Sequence, residues 1–184
     1  MLKPFFIFSW IICCCLINTS AFSQSVHDQA YWNKLFQLPS DREHNAGQVL
    51  YDSLQGKTKD EMAQMIRSFE SDRSLSRRED FPVKMSMLKA LYCRQFHTKL
   101  SNQDVYAWTR QALKTAIAQD DDYLTLSVCF MLGDLCLSDE DYDTGIFYML
   151  KGVELQEKLG YKKEIIANSK ISVSNILYRT ENFN

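Results

Sequence analysis

Cys129-Phe130-Met131-Leu132-Gly133-Asp134-Leu135-Cys136-Leu137, the break Ser138-Asp139-Glu140-Asp141, and then Tyr142-Asp143-Thr144-Gly145-Ile146-Phe147-Tyr148-Met149-Leu150-Lys151-Gly152 form the stretch that decides the fold. Cys129, Leu132, Gly133 and Cys136 stand at offsets 0, 3, 4 and 7, one face of an α-helix. Ser138 stops that pattern, and Ser138 with Asp141 has the S-x-x-D form of a helix start. Tyr142, Gly145, Met149 and Gly152 then share one face of a second helix. Each glycine costs about 1 kcal/mol of helix propensity relative to alanine, and close approach of two helices is the natural compensation. Further along the chain the pattern returns. Val173, Ser174, Leu177 and Phe183 fall where Leu132, Gly133, Cys136 and Tyr142 fell, and Phe183 follows Tyr142 by 41 residues, although Lys170 takes the place of Cys129. A fixed-period helix–turn–helix echo means units that bury their apolar faces on one another.

The Leu132-Gly133 pair, the aromatic Tyr142 and the small residues Gly145 and Gly152 resemble the tetratricopeptide repeat. Cys129, Cys136 and Met149 depart from that family, which uses aromatics there. Leu159-Gly160-Tyr161-Lys162-Lys163 is similar to the connectors of its long-period arrays. A poorer copy lies upstream: Tyr106, Thr109 and Ala116 take second-helix places 36 residues earlier, Phe96 and Leu100 lie on its first helix, and His97 takes the small-residue place. The resemblance covers roughly the last 60 to 80 residues. It implies an all-α chain of antiparallel helix pairs stacked as a right-handed superhelix, an α-solenoid whose last repeat is incomplete. It also implies that first helices line a concave surface. The positions carried over to a peptide groove are Ser127, Phe130, Asp134 and Leu137 in one copy, and Asn168, Ile171, Asn175 and Tyr178 in the next. An exported array of this kind resembles the sensor part of bacterial signalling proteins of the histidine kinase or helix-turn-helix regulator type.

The N-terminus sets the expected compartment. Met1-Leu2-Lys3 is a short basic start, Pro4 to Ile17 is almost continuously apolar, and Ala21-Phe22-Ser23 places small residues before a cut ahead of Gln24. These are the three parts of a secretory signal peptide, and the apolar run is shorter than the ~20 residues a spanning helix needs. None of Cys13, Cys14 and Cys15 follows the small-residue pattern of lipoprotein processing. The expected organisation is a signal peptide over 1–23, a helical region over 24–80 that is a degenerate repeat or a cap, and tetratricopeptide-like repeats over 81–184. Removing 1–23 takes away Lys3 and no acid, which moves the formal charge from −2 to −3. That balance, with scattered lysines and arginines, argues against a nucleic-acid footprint. The densest basic stretch, Ser74 to Asp80 with Arg73, Arg77 and Arg78, reads as a solvated loop between helices.

The remainder reads as helix. Prolines stand only at 4, 39 and 82, and no alternating apolar runs mark strands. Helices are expected at 28–37, 42–54, 59–72, 82–99, 103–118, 123–137, 141–158 and 162–179, with ends good to about 3 residues. Starts are marked at Ser40 to Glu43, Thr58 to Glu61 and Ser101 to Asp104. Cys129 and Cys136 lie two turns apart on one helix, roughly 10 Å by the helical rise, which is beyond disulfide reach. Both read as small buried apolar groups, and Cys93 occupies the equivalent upstream place.

No residue reads as catalytic, and no cofactor or metal is expected. Asp139-x-Asp141-x-Asp143 opens like a calcium loop, but the glycine comes one position late and position twelve is Leu150. A helix cap explains the carboxylates better. Cys93 and His97 stand four apart without a second ligand pair at metal spacing. The three histidines make no H-E-x-x-H, and no nucleophile elbow, phosphate loop or dinucleotide fingerprint occurs. Two functions from different classes follow. One is an interaction module that takes a protein or peptide, outside the cytoplasm, with no nucleic-acid contact and no membrane contact beyond the leader. The other is an exported all-helical enzyme or metal-binding domain with an unrecognised site. The incomplete last repeat leads to a further expectation: Ile171, Leu177, Tyr178 and Phe183 stay partly uncovered and support self-association through the C-terminal end.

Overall fold

The computed structural model of the chain describes residues 46–183, and all regular secondary structure among them is helical. The helices are α1 (Ala46–Leu54), α2 (Lys59–Ser71), α3 (Phe81–Phe96), α4 (Val105–Ala118), α5 (Asp122–Ser138), α6 (Tyr142–Lys158) and α7 (Lys163–Phe183), with a 3₁₀ turn at Leu75–Arg77. The leader, the helix expected at 28–37 and the start at Ser40 lie outside the described residues. From 59 onward the helices match the periodicity reading closely. Two helices depart from it: α3 ends at Phe96 instead of running to 99, because His97 turns left-handed at φ 46°, and α7 runs unbroken to Phe183 instead of stopping at 179, so Phe183 does not open a second helix as Tyr142 does and the echo fails at that point. The left-handed turn also takes His97 off the helical face it was expected to share with Cys93.

Local chemistry fixes the starts. Thr58 and Glu61 form a reciprocal capping box: Glu61 N–H donates to Thr58 Oγ1 (3.3 Å), and Thr58 N–H donates to Glu61 Oε2 (2.7 Å). Three later starts use aspartate. Asp104 accepts from Ala107 N–H, Asp121 from Leu124 N–H and Asp141 from Thr144 N–H. Here the structure corrects the expected starts at Ser101 and Ser138. Ser101 lies in the turn before α4 with φ 50°, and Ser138 is the last residue of α5, its hydroxyl donating to Asp134 C=O. In both S-x-x-D patterns the aspartate is the cap, and the serine belongs to what precedes it.

The ends are equally regular. α3, α4, α5 and α6 each close with a six-residue backbone bond around one left-handed residue. The bonds run from Thr98 N–H to Cys93 C=O, Asp121 N–H to Ala116 C=O, Asp141 N–H to Cys136 C=O and Tyr161 N–H to Gln156 C=O. The left-handed residues are His97, Asp120, Glu140 and Gly160. This is the Schellman closure. The accepting carbonyls fall at 93, 116, 136 and 156, so α5 and α6 with their turns each span 20 residues and α4 with its turn spans 23.

The α5/α6 pair is seamed by glycine. A Cβ built on Gly152 would lie 2.7 Å from Phe130 Cε1, on Gly133 2.8 Å from Met149 Cγ, and on Gly145 2.7 Å from Leu137 Cγ. Ascending α5 through 130, 133 and 137 descends α6 through 152, 149 and 145, which is antiparallel packing in register. The close approach offsets the propensity cost of three glycines.

Principal packing otherwise runs between consecutive helices from α2 to α7, with one exception: α1 skips α2 and packs on both α3 and α5. The larger apolar core joins α1 to α5 and includes Leu50, Leu54, Met62, Phe69, Met87, Leu91, Val128 and Leu132. A smaller one, Leu126, Cys129 and Leu155 with Phe130, Tyr148 and Tyr161 against it, ties α5 to α6. On α7, Val173 is the buried apolar residue. The basic stretch at Arg73 to Arg78 is better built than a plain solvated loop: Leu75 is fully buried, and Asp72 accepts from the N–H groups of Ser74 and Leu75.

Candidate functional site

The positions carried over to a groove separate into three environments. Phe130 and Leu137 do not open onto a surface lined by first helices. They lie half-buried over Gly152 and Gly145, because the missing side chains of α6 leave room that only large α5 side chains fill. Ser127 is 4% exposed, and its hydroxyl donates to Tyr123 C=O. Asn168, Ile171, Asn175 and Tyr178 are exposed along α7, with Tyr178 at 68%.

Asp134 is the chemically distinct member. It keeps some solvent-exposed surface, but its carboxyl is surrounded by protein. Burial pushes its pKa up to about 6, against the pull of the Arg94 guanidinium of α3. Arg94 itself donates to Ser138 Oγ at 3.2 Å, so it reaches from α3 to the end of α5. Arg94 was not legible as a site residue, because nothing local in the sequence pairs α3 with α5. Beside this cluster, Tyr106 O–H donates to Asp139 Oδ2 at 2.7 Å, and the Arg110 guanidinium stacks over the Tyr106 ring.

The residues assigned to repeat packing also divide. Cys129, Leu132, Gly133, Cys136, Gly145, Met149, Gly152 and Val173 are buried. Tyr142 is 40% exposed, Leu177 is 38% exposed and Ser174 is exposed. α7 turns Ile165, Ile166, Ser169, Val173 and Ile176 inward instead, so its contact stripe is rotated from the one the echo implies. The side chain of Phe183 lies outside the description.

Cys93, Cys129 and Cys136 are free and buried, and burial raises the Cys129 thiol to about 11, where it is a poor nucleophile at neutral pH. Among the described residues no group of three or more His, Cys, Asp or Glu could hold a metal ion. The buried Lys84 is accounted for by structure: its ammonium pairs with Asp80 at 2.7 Å, and Asp80 also takes Arg78 at 2.9 Å. No helix among the described residues is long and apolar enough to cross a membrane. Set against protein-family models, curated proteins and solved structures, the chain matches none of them.

Proposed function

We propose that this chain is a non-catalytic helical-repeat interaction module that takes a protein or peptide partner. In this reading its helix pairs stack as a right-handed tetratricopeptide-like superhelix. The chain is exported, and serves as the extracytoplasmic sensor or scaffold portion of a bacterial signalling protein. The observation that carries the reading is the 20-residue spacing of the Schellman-closed ends of α4, α5 and α6, joined to the antiparallel glycine seam of α5 and α6. Regular stacking of two-helix units is what makes an extended recognition surface. The exposed Asn168, Ile171, Asn175 and Tyr178 supply a mixed polar and aromatic lining suited to peptide contact.

The test is calorimetric titration with peptides selected by display against the chain. Alanine at Asn175 and Tyr178 together should weaken a selected ligand at least ~10-fold, about 1.4 kcal/mol. A ligand indifferent to both substitutions would place recognition elsewhere and defeat the reading of this face. Export is tested separately by N-terminal sequencing: mature protein beginning at Gln24 outside the cytoplasm is expected, and an intact Met1 in the cytosolic fraction would overturn it.

A further inference from the structure

We propose that the outward face of α7 takes the same face of a second copy of this chain, antiparallel across a two-fold axis that passes by Ile171. The pairing rests on the reading of this face as a recognition surface and supplies that surface with its partner.

α7 carries two stripes on opposite sides. Ile165, Ile166, Ser169, Val173 and Ile176 turn toward α6, its principal neighbour. Glu164, Asn168, Ile171, Asn175 and Tyr178 are exposed, at alternating spacings of four and three residues, so they run as one stripe along the helix. That stripe is self-complementary about Ile171. Turned end for end, Glu164 falls opposite Tyr178 and Arg179, Asn168 falls opposite Ser174 and Asn175, and Ile171 falls opposite itself. A carboxylate then meets a phenol hydroxyl and a guanidinium, an amide meets a hydroxyl and an amide, and the apolar side chain lies on the axis. Glu164 and Arg179 are exposed and make no ion pair among the described residues, so both charges are free for this use. Parallel pairing in register would instead set glutamate on glutamate and arginine on arginine, and like charges facing each other oppose association.

Shape agrees with charge. Ala167 and Ser174 flank Ile171 one turn to either side, and both are small enough to let two backbones approach. Ser174 stands where Gly133 stands in the sequence echo, and Gly133 is the residue that admits Met149 into the α5/α6 seam. The Ser174 hydroxyl already donates to Lys170 C=O at 2.9 Å, which leaves its oxygen to accept from the amide of Asn168. An antiparallel second α7 also repeats the antiparallel packing of α5 on α6. The extent of the face sets the strength. α7 spans 21 residues, about 32 Å by the helical rise. One helix face of that length, about 10 Å wide, is smaller than the ~800 Å² each partner gives to a stable complex. Pairing is therefore weak, and α7 stays uncovered in dilute solution. A two-fold uses each face once, so association stops at two copies.

Sedimentation equilibrium of the full chain from ~1 μM to ~1 mM tests the pairing. The average mass should rise from one chain toward two and no further. Ile171→Asp puts two carboxylates on the axis and should weaken the pair at least ~10-fold. Ile171 is 57% exposed, so this variant keeps its fold, which unchanged exchange protection of α3 to α6 verifies. Arg179→Glu should weaken the pair at least ~3-fold, and adding Glu164→Arg should recover most of that loss, because the two positions face each other across the axis. A chain that stays monomeric at ~1 mM overturns the proposal. Growth beyond two copies, or association indifferent to Ile171→Asp, overturns it as well. A double charge reversal that recovers nothing overturns the antiparallel register. A display-selected ligand that still binds through Asn175 and Tyr178 in any of these negative cases leaves the interaction module standing and removes only the second copy as its partner.

Discussion

Asp134 holds its proton more tightly in the folded chain than an ordinary carboxyl does, with an apparent pKa of about 6 caused first by burial. The folded state therefore binds more protons than the unfolded state between about pH 4 and 6. The sign follows: this group's contribution to stability is present below pH ~4 and is lost as pH rises through about 6. Asp134→Asn removes the charge and keeps the shape. The variant should match the wild type near pH 4 and exceed it at pH 7 by on the order of 1–2 kcal/mol, a shift of two pKa units discounted for the residue's remaining exposure. Paired thermal melts from pH 4 to pH 8 check this, and a gap that stays constant with pH would contradict it. The glycines act at the same scale but through space alone. At Gly152 a methyl would meet three atoms of the rigid Phe130 ring, whereas at Gly133 it would meet the flexible chain of Met149. Gly152→Ala should then cost about 1–3 kcal/mol, partly masked by ~1 kcal/mol of gained helix propensity. Gly133→Ala should cost less. Phe130→Leu in the Gly152→Ala background should recover part of the loss, and a double-mutant cycle with zero coupling would separate the two positions.

At the scale of the element, the caps show how far sequence could be read and where it stopped. The starts of α2, α4, α5 and α6 each carry an acid or hydroxyl that accepts from a free N–H, and such local bonds need no tertiary information. The S-x-x-D pattern at 138–141 nevertheless misled by three residues. Serine and aspartate are both competent caps, and only the closure of α5 onto Asp141 N–H selects between them. The distinction is measurable. Asp141→Ala should destabilise by about 1 kcal/mol through loss of the bond from Thr144 N–H, whereas Ser138→Ala should stay within ~0.5 kcal/mol. Equal losses, or the reverse order, would restore Ser138 as the cap. The faces were harder to read than the ends. Phe130 and Leu137 looked available for a groove because a helix shows several apolar stripes, and periodicity cannot say which neighbour each one meets. The seam with Gly145 and Gly152 claims them, and that pairing depends on the antiparallel register of two helices. The return of α1 onto α5, with the Arg94 bond to Ser138, joins segments far apart in sequence and leaves no trace in any local window.

At the scale of the molecule, the two cores give the stack an uneven stability. The larger one runs through α1 to α5 and is closed by residues such as Met62, Phe69, Met87, Leu88 and Leu132, each at most 2% exposed. The smaller one holds α6 to α5 through Leu126, Cys129 and Leu155. Among α3 to α7, α7 is the most lightly held. It offers α6 a stripe with Val173 as its buried apolar residue, adds a surface ion pair between Lys170 and Glu157 at 2.6 Å, and leaves Ile171 and Tyr178 57% and 68% exposed. An exposed pair of that kind contributes at most about 1 kcal/mol, so burial decides the order. Native-state hydrogen exchange should therefore rank protection as α3 to α5 highest, α6 next and α7 lowest, with α7 opening in sub-global events of smaller free energy than complete unfolding. Val173→Ala should speed exchange throughout α7 while leaving α3 and α4 unchanged, because the lost packing, about 1 kcal/mol, belongs to the α6–α7 contact alone. If α7 is protected as well as α5 and α6, and if that protection rises with protein concentration, a second copy of the chain is covering the face that carries Ile171 and Tyr178. If the protection is independent of concentration, the graded stability argued from the two cores is wrong.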